Sequence, residues 1–72
     1  MSTYYWDFFG PNAERTADHF QRHLDGFLRD NGCDGCSTGL ESHGAGHFAA
    51  YCTASEQHES LIERALKPRR KL

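Results

Sequence analysis

Two cysteines and two histidines lie close together in the middle of this 72-residue chain, in the stretch GCDGCSTGLESHGAGH. Cys33 and Cys36 form a CxxC pair, and His43 and His47 follow them along the chain. Structural zinc sites hold one ion with four such side chains, arranged as a tetrahedron of thiolates and imidazoles. These residue types allow the hypothesis that Cys33, Cys36, His43 and His47 bind zinc and so stabilise a small binding domain.

A β-hairpin is the competing interpretation of the same stretch. Gly44-Ala45 fits a two-residue type II′ turn, which takes glycine at its first central position. Strands at residues 36–42 and 47–53 would then pair, with Cys36 and His47 on one face but at opposite ends. Because a strand rises about 3.3 Å per residue, these two side chains would lie about 20 Å apart. The zinc site and the regular hairpin exclude each other, and the β-prone residues after His47 favour the hairpin.

The other cysteine and histidine patterns offer weaker sites. Cys33-Asp-Gly-Cys36 has the spacing of a redox pair, but such pairs usually lie at a helix N-terminus that lowers the thiol pKa. His19 and His23 share one side of a predicted helix and could bind a metal, although the glutamate of HExxH is missing. His58 lies on the apolar face of the second predicted helix, where we expect a half-buried packing residue. A small redox or metal-handling protein is the third hypothesis.

No combination of residues predicts an enzyme. Nucleophilic catalysis needs a cysteine or serine beside a base that a third group orients. His47 and Cys52 lie in the same predicted strand, where their odd separation places them on opposite faces. Gly44 and Gly46 precede a predicted strand rather than the N-terminus of a helix, so they do not form a phosphate-binding loop. We therefore expect a non-enzymatic protein without a cofactor, or with zinc under the first hypothesis.

Strand and helix signals alternate along the chain and predict five elements. Runs of aromatic and β-branched residues predict strands, and apolar residues at helical spacing predict helices. The first helix opens at Pro11 and stops before Asn31-Gly32. The second helix opens at a cap on Thr53 or Ser55 and stops before Pro68. The predicted elements are a strand at 3–9, a helix at 11–30, strands at 36–42 and 47–53, and a helix that ends near residue 67.

The predicted order β-α-β-β-α indicates an α+β fold. We expect one small three-stranded sheet, antiparallel or mixed, with two helices packed on one face. This order resembles the ferredoxin-like arrangement without its last strand, and a resemblance of topology implies no function. We expect residues 1–67 to form a single domain and residues 68–72 to form a basic, frayed C-terminal tail.

Charge is divided unevenly along the chain and limits the expected partners. The body at residues 1–66 holds four arginines against ten acidic residues, which leaves a net charge of −6. An acidic body argues against a surface that binds nucleic acid, so we expect contact with nucleic acid only through the basic end. That basic end consists of Lys67, Arg69, Arg70 and Lys71.

Cysteine content and hydropathy bear on where the protein works. No apolar stretch reaches the roughly 18 residues of a membrane span, and the first residues lack the pattern of a signal peptide. Three cysteines, an odd number, do not form a closed disulfide framework. We therefore expect a cytoplasmic protein with reduced thiols and no membrane partner.

The aromatic first strand carries the main functional signal. Its residues alternate between two faces, so Tyr5 and Phe9 lie on one face and Trp6 lies on the other, which we expect to be the core side. An aromatic strand without cover tends to pair with other chains. We therefore predict a small accessory, adaptor or inhibitory protein that forms a homodimer through a sheet edge or the second sheet face. The candidate interface residues are Tyr5, Phe9, Phe48 and Tyr51.

Overall fold

Four strands and two helices make up the chain in a computed structural model that describes residues 1–72. In chain order they are β1 (Ser2–Phe9), α1 (Ala13–Asp30), β2 (Ser37–Ser42), β3 (His47–Ala54), α2 (Glu56–Leu66) and β4 (Arg70–Lys71). The α+β class, the two helices and the three longer strands are confirmed. The prediction of a three-stranded sheet is wrong, because a fourth strand joins it and every neighbouring pair is antiparallel.

The strand order in the sheet is β2-β3-β1-β4. Helix α1 connects β1 to β2, and β3 lies between these two strands in the sheet. Helix α2 connects β3 to β4, and β1 lies between them. This is the complete ferredoxin-like connectivity, and β4 is the last strand that the sequence prediction lacked. Neither helix is both long enough and apolar enough to cross a membrane.

The C-terminal residues belong to the sheet, which differs from the frayed tail expected at residues 68–72. Arg70 pairs with Tyr5 in antiparallel register. Leu72 and Thr3 exchange two backbone hydrogen bonds, with N···O distances of 2.7 and 3.0 Å. Lys67 adopts a left-handed conformation, with φ of 46°, and so ends α2 and redirects the chain towards β1.

One apolar core lies between the sheet and the helices. Tyr4 and Trp6 of β1 and Cys52 of β3 point into it. Leu24 of α1 and Ile62 of α2 pack in the same cluster and are only 1% and 0% exposed. Because both helices contribute to this cluster, they cover the same face of the sheet and leave the other face uncovered.

Two hydrogen bonds tie core aromatic rings to α2. Trp6 Nε1 donates to the carbonyl oxygen of Leu66 at 2.9 Å, and Tyr4 Oη donates to Glu63 Oε2 at 2.6 Å. Burial, with the neighbouring Glu63 carboxylate, raises the pKa of Tyr4 to about 12, so its hydroxyl keeps the proton that it donates. The side chains that fill the core therefore also fix α2 over the sheet.

The β2–β3 hairpin is present, but its turn differs from the prediction. His43 N–H donates to the carbonyl of His47 at 2.9 Å, so these residues face each other and the loop is Gly44-Ala45-Gly46. Gly46 has φ of +76°, a left-handed conformation that glycine adopts without a steric penalty. The predicted two-residue turn at Gly44-Ala45 is wrong by one residue, because three-residue loops with a left-handed glycine are also common in hairpins.

Candidate functional site: the open face and edge of the sheet

The sheet surface that faces away from both helices has no covering layer, and we call it the open face. Side chains of a strand alternate between the two faces, and the core takes Tyr4 and Trp6 from β1. The odd-numbered residues of β1 therefore lie on the open face, together with their partners on β3 and β2. These open-face residues are Thr3, Tyr5, Asp7, Phe9, Ser37, Gly39, Glu41, His47, Ala49, Tyr51 and Thr53.

An ion cluster centred on Asp7 lies in the middle of the open face. Arg70 donates two hydrogen bonds to the carboxylate, from Nε to Oδ2 at 2.8 Å and from Nη2 to Oδ1 at 2.6 Å. His47 Nε2 lies 3.0 Å from Asp7 Oδ1. The hydrogen bonds from Arg70 outweigh the opposing effect of burial and, with His47, lower the pKa of Asp7 to about 2. Only 9% of the Asp7 side chain is exposed, so this carboxylate is both ionised and shielded at neutral pH.

A row of three stacked rings crosses the open face near the hairpin turn. The His47 ring lies between Phe9 and His43, at centroid distances of 4.3 and 4.6 Å and interplanar angles of 23° and 24°. His43 Nε2 in turn lies 3.1 Å from Glu41 Oε1. Phe9, at the end of the row, is 69% exposed. The row therefore connects β1 and β3 with the residue that follows β2, and it presents the Phe9 ring to solvent.

Tyr5 and Tyr51 form a second aromatic contact on the open face. Their ring centroids lie 6.3 Å apart, and the Arg70 guanidinium covers the Tyr5 ring at 4.5 Å. Tyr51 extends across β2, where a side chain at Gly39 would collide with its ring. The absent side chain of Gly39 is therefore what allows Tyr51 to lie flat on the sheet.

The four residues predicted for an interface do not form one surface. Tyr5, Phe9 and Tyr51 lie on the open face, and Phe48 lies on the helix side, where it pairs with Phe8. Tyr5 is only 9% exposed because Arg70 and Tyr51 cover it. Phe9 and Tyr51 are therefore the members of the predicted set that solvent can reach on the open face.

The four residues of the zinc hypothesis lie at the two ends of the hairpin. Cys33 and Cys36 precede β2, whereas His43 and His47 flank the turn at the far end of the same strand. In the whole chain, no three side chains of histidine, cysteine, aspartate or glutamate converge in the geometry of a metal centre. The hairpin therefore places the cysteine pair and the histidine pair at opposite ends of β2.

Two of the three cysteines, Cys33 and Cys52, lie in environments that favour the neutral thiol. All three are free, and burial raises the pKa of Cys33 and raises that of Cys52 to about 12. Reactive and redox-active cysteines show the opposite shift, because the thiolate is the reacting species. Cys33 and Cys52 instead pack in the apolar core beneath the sheet.

Strand β2 forms one edge of the sheet, and its outer side has no partner strand. In an antiparallel pair, the backbone groups of successive residues point to opposite sides of the strand. Because His43 is bonded to His47 in β3, the N–H and C=O groups of Thr38, Leu40 and Ser42 point outward. Natural edge strands often carry proline or lysine, which oppose pairing, and β2 (STGLES) contains neither.

The Asp7 cluster is the part of the site that the sequence prediction missed. Asp7 is the one charged residue in the aromatic strand, which is a signal that it requires a partner. That partner, Arg70, lies 63 residues away. Its position depends on β4, so no local pattern could identify it.

We compared the chain with family models, with curated proteins and with solved structures, and none of the three comparisons gave a match.

Proposed function

We propose that this protein is a small non-enzymatic interaction module that works as a homodimer, in which β2 pairs with β2 of a second copy. The outward backbone groups of Thr38, Leu40 and Ser42 are the observation that carries this proposal. Pairing the two edges would continue the sheet from one copy into the other. The open faces of both copies would remain available to a larger protein partner.

The outward groups of β2 are placed symmetrically, as a two-fold interface requires. If the axis passes beside Leu40, then Leu40 faces its own copy and Thr38 faces Ser42 of the second copy. Each of these residues presents one donor and one acceptor, so every outward group finds a partner. Each backbone hydrogen bond formed in this way contributes about 1 kcal/mol.

The side chains of β2 are compatible with this pairing. Leu40 is only half-buried in the single chain, and its copy would cover the part that remains exposed. Apolar pairs directly opposite each other stabilise antiparallel strands. Glu41 would face Gly39 of the second copy, so the two Glu41 carboxylates would not oppose each other directly.

The open face supports the role of an adaptor or accessory protein. Phe9 presents an exposed ring at the end of the stacked row, and exposed aromatic residues are common in protein interfaces. Arg70 and Lys71 of the basic end are already paired with Asp7 and Glu63, which favours a protein partner over nucleic acid. Neither His43 nor His47 hydrogen-bonds to a serine or cysteine side chain, which favours a binding role over nucleophilic catalysis.

Proline at position 42 should separate the dimer. Ser42→Pro removes an outward N–H that β3 does not use, and it places the proline ring in the path of the second copy. Ser42→Ala is the matched control, because it keeps the N–H group. Light scattering after size-exclusion chromatography should give twice the 8.2 kDa chain mass for wild type and Ser42→Ala, and 8.2 kDa for Ser42→Pro.

The circular dichroism spectrum of Ser42→Pro should match that of wild type, since β2 keeps its bonds to β3. A wild-type mass of 8.2 kDa at every concentration up to about 1 mM would contradict a functional homodimer. A Ser42→Pro protein that remains dimeric would contradict the β2 interface.

A further inference from the structure

We propose that His19 and His23, on the exposed side of α1, form a chelating site for a divalent transition-metal ion such as Zn²⁺, Ni²⁺ or Cu²⁺. The two residues lie one helical turn apart, and their Nε2 atoms are 3.0 Å from each other. Their ring centroids are 4.5 Å apart. This site lies on a helix, away from the β2 edge, and does not depend on the proposed dimer.

The distance between the two Nε2 atoms fits a shared metal ion. Imidazole nitrogens bind Zn²⁺ at about 2.0–2.1 Å, which places two ligands of a tetrahedral ion about 3.3 Å apart. Ligands at right angles, as Cu²⁺ and Ni²⁺ prefer, lie about 2.9 Å apart. The observed 3.0 Å falls between these values, so the two nitrogens already have the spacing that a shared ion requires.

Metal binding would replace a proton that the two rings now share. Without an ion, the Nε2–H of one ring donates to the unprotonated Nε2 of the other. On binding, both Nε2 atoms become ligands, and the ring that gives up its Nε2 proton to solvent takes one up at Nδ1, so each histidine binds as a neutral imidazole with no change of oxidation state. Protons compete with the metal for the same nitrogens, so affinity falls at acidic pH.

The surroundings of the pair leave a bound metal accessible to solvent. Phe8, Thr16 and Phe20 form the other walls of a shallow cleft beside the two rings. The neighbouring cation, Arg22, is paired with Asp18 at 3.2 Å, which reduces its repulsion of a metal ion. The chain supplies only two ligands here, and water would complete the coordination.

The second histidine pair of the molecule lacks this geometry. His43 and His47 stack face to face, but their Nε2 atoms have different partners. His43 Nε2 lies beside the Glu41 carboxylate, and His47 Nε2 lies beside the Asp7 carboxylate. Their Nε2 atoms are therefore engaged separately and do not converge on a common point. We expect the His19–His23 pair to bind the ion in preference to this one.

Titration of the ¹⁵N-labelled full chain with Zn²⁺ tests the site, with the ring nitrogens of each histidine followed by NMR. The Nε2 signals of His19 and His23 should shift together and give one dissociation constant. His23→Gln removes one ligand and keeps a good helix former, and it should weaken binding at His19 by about tenfold or more. His58→Gln, on the other helix, is the matched control and should leave the affinity unchanged.

Three outcomes would overturn the proposal. Zn²⁺ could shift the signals of His43 and His47, or bind the cysteine thiols, without affecting the rings of His19 and His23. The two rings could titrate with different dissociation constants. His23→Gln could bind at His19 as tightly as wild type, which would show that the pair does not chelate.

Discussion

Replacing Trp6 with alanine should leave much of the protein unfolded at 25 °C. Trp6 is 5% exposed, its ring centroid lies 5.1 Å from that of Phe20 in α1, and its Nε1 donates to Leu66 at the end of α2. One side chain therefore joins the central strand to both helices. Truncating a buried tryptophan typically costs 3–5 kcal/mol, roughly the whole stability of a domain this small.

Far-UV circular dichroism during urea titration measures this effect, because Trp6 is the only tryptophan and its fluorescence is lost with it. Trp6→Phe is the matched control, since it keeps an aromatic ring but loses the hydrogen bond to Leu66. We expect it to lower the free energy of unfolding by about 1–2 kcal/mol. If Trp6→Ala unfolds at the same urea concentration as wild type, Trp6 does not connect the two helices through the core.

Replacing Asp7 with alanine should weaken the attachment of β4 to the sheet. Arg70 and His47 both bond to this one carboxylate, and β4 itself is only two residues long. Because 44% of the Arg70 side chain is exposed, solvent weakens the ion pair. We therefore expect a loss of about 1–2 kcal/mol in the free energy of unfolding.

A double-mutant cycle with Asp7→Ala and Arg70→Ala measures the pair itself. The two losses should not add, and the coupling should be about 1 kcal/mol. Strictly additive effects would show that Arg70 does not hold β4 through Asp7.

The same cluster should make stability depend on pH in the acidic range. The Asp7 pKa lies at about 2, below its ordinary value of 3.8, so its contribution is complete above pH 3.8 and is lost as the pH falls towards 2. Glu63, whose pKa Lys71 also lowers, acts in the same direction. Wild type should therefore lose more stability between pH 4 and 2 than Asp7→Asn does. Equal losses in the two proteins would contradict a shielded Asp7 carboxylate.

Helices and long strands could be predicted from local patterns, whereas β4 could not. The apolar spacing of α1 and the glycine-rich turn of the hairpin are encoded in adjacent residues. Strand β4 is two residues long and both are charged, so no periodic pattern can mark it. Its place depends on ion pairs with Asp7 and Glu63. These two carboxylates come within reach of Arg70 and Lys71 only after the sheet and α2 have formed.

The register of the hairpin shows how a small difference in a turn changes a surface. Residues 44–46 fit a loop of either two or three residues, and a shift of one residue moves every β2 side chain to the other face. In the structure, Tyr51 faces Gly39, and Leu40 pairs with Ala50 on the core side. A two-residue turn would instead have placed Leu40 on the open face and Glu41 on the core side. The burial preferences of these two residues explain why the longer loop forms.

The candidate interface could be predicted in part from strand alternation. Alternation alone places Tyr5 and Phe9 together and separates Phe48 from Tyr51. It does not reveal that Arg70 covers Tyr5, because that contact depends on β4. Nor does it identify β2 as the exposed edge, since strand order depends on how α1 and α2 cross the sheet.

Hydrogen exchange of the β2 amides tests most directly whether this strand is a dimer edge. Within one chain, the N–H groups of Gly39 and Glu41 point towards β3, and those of Thr38, Leu40 and Ser42 point outward. At about 1 mM protein we predict slow exchange at all five, with the three outward amides losing protection on dilution as the dimer dissociates. If these three exchange freely at about 1 mM while Gly39 and Glu41 stay protected, β2 has no partner strand and the proposed homodimer interface is wrong.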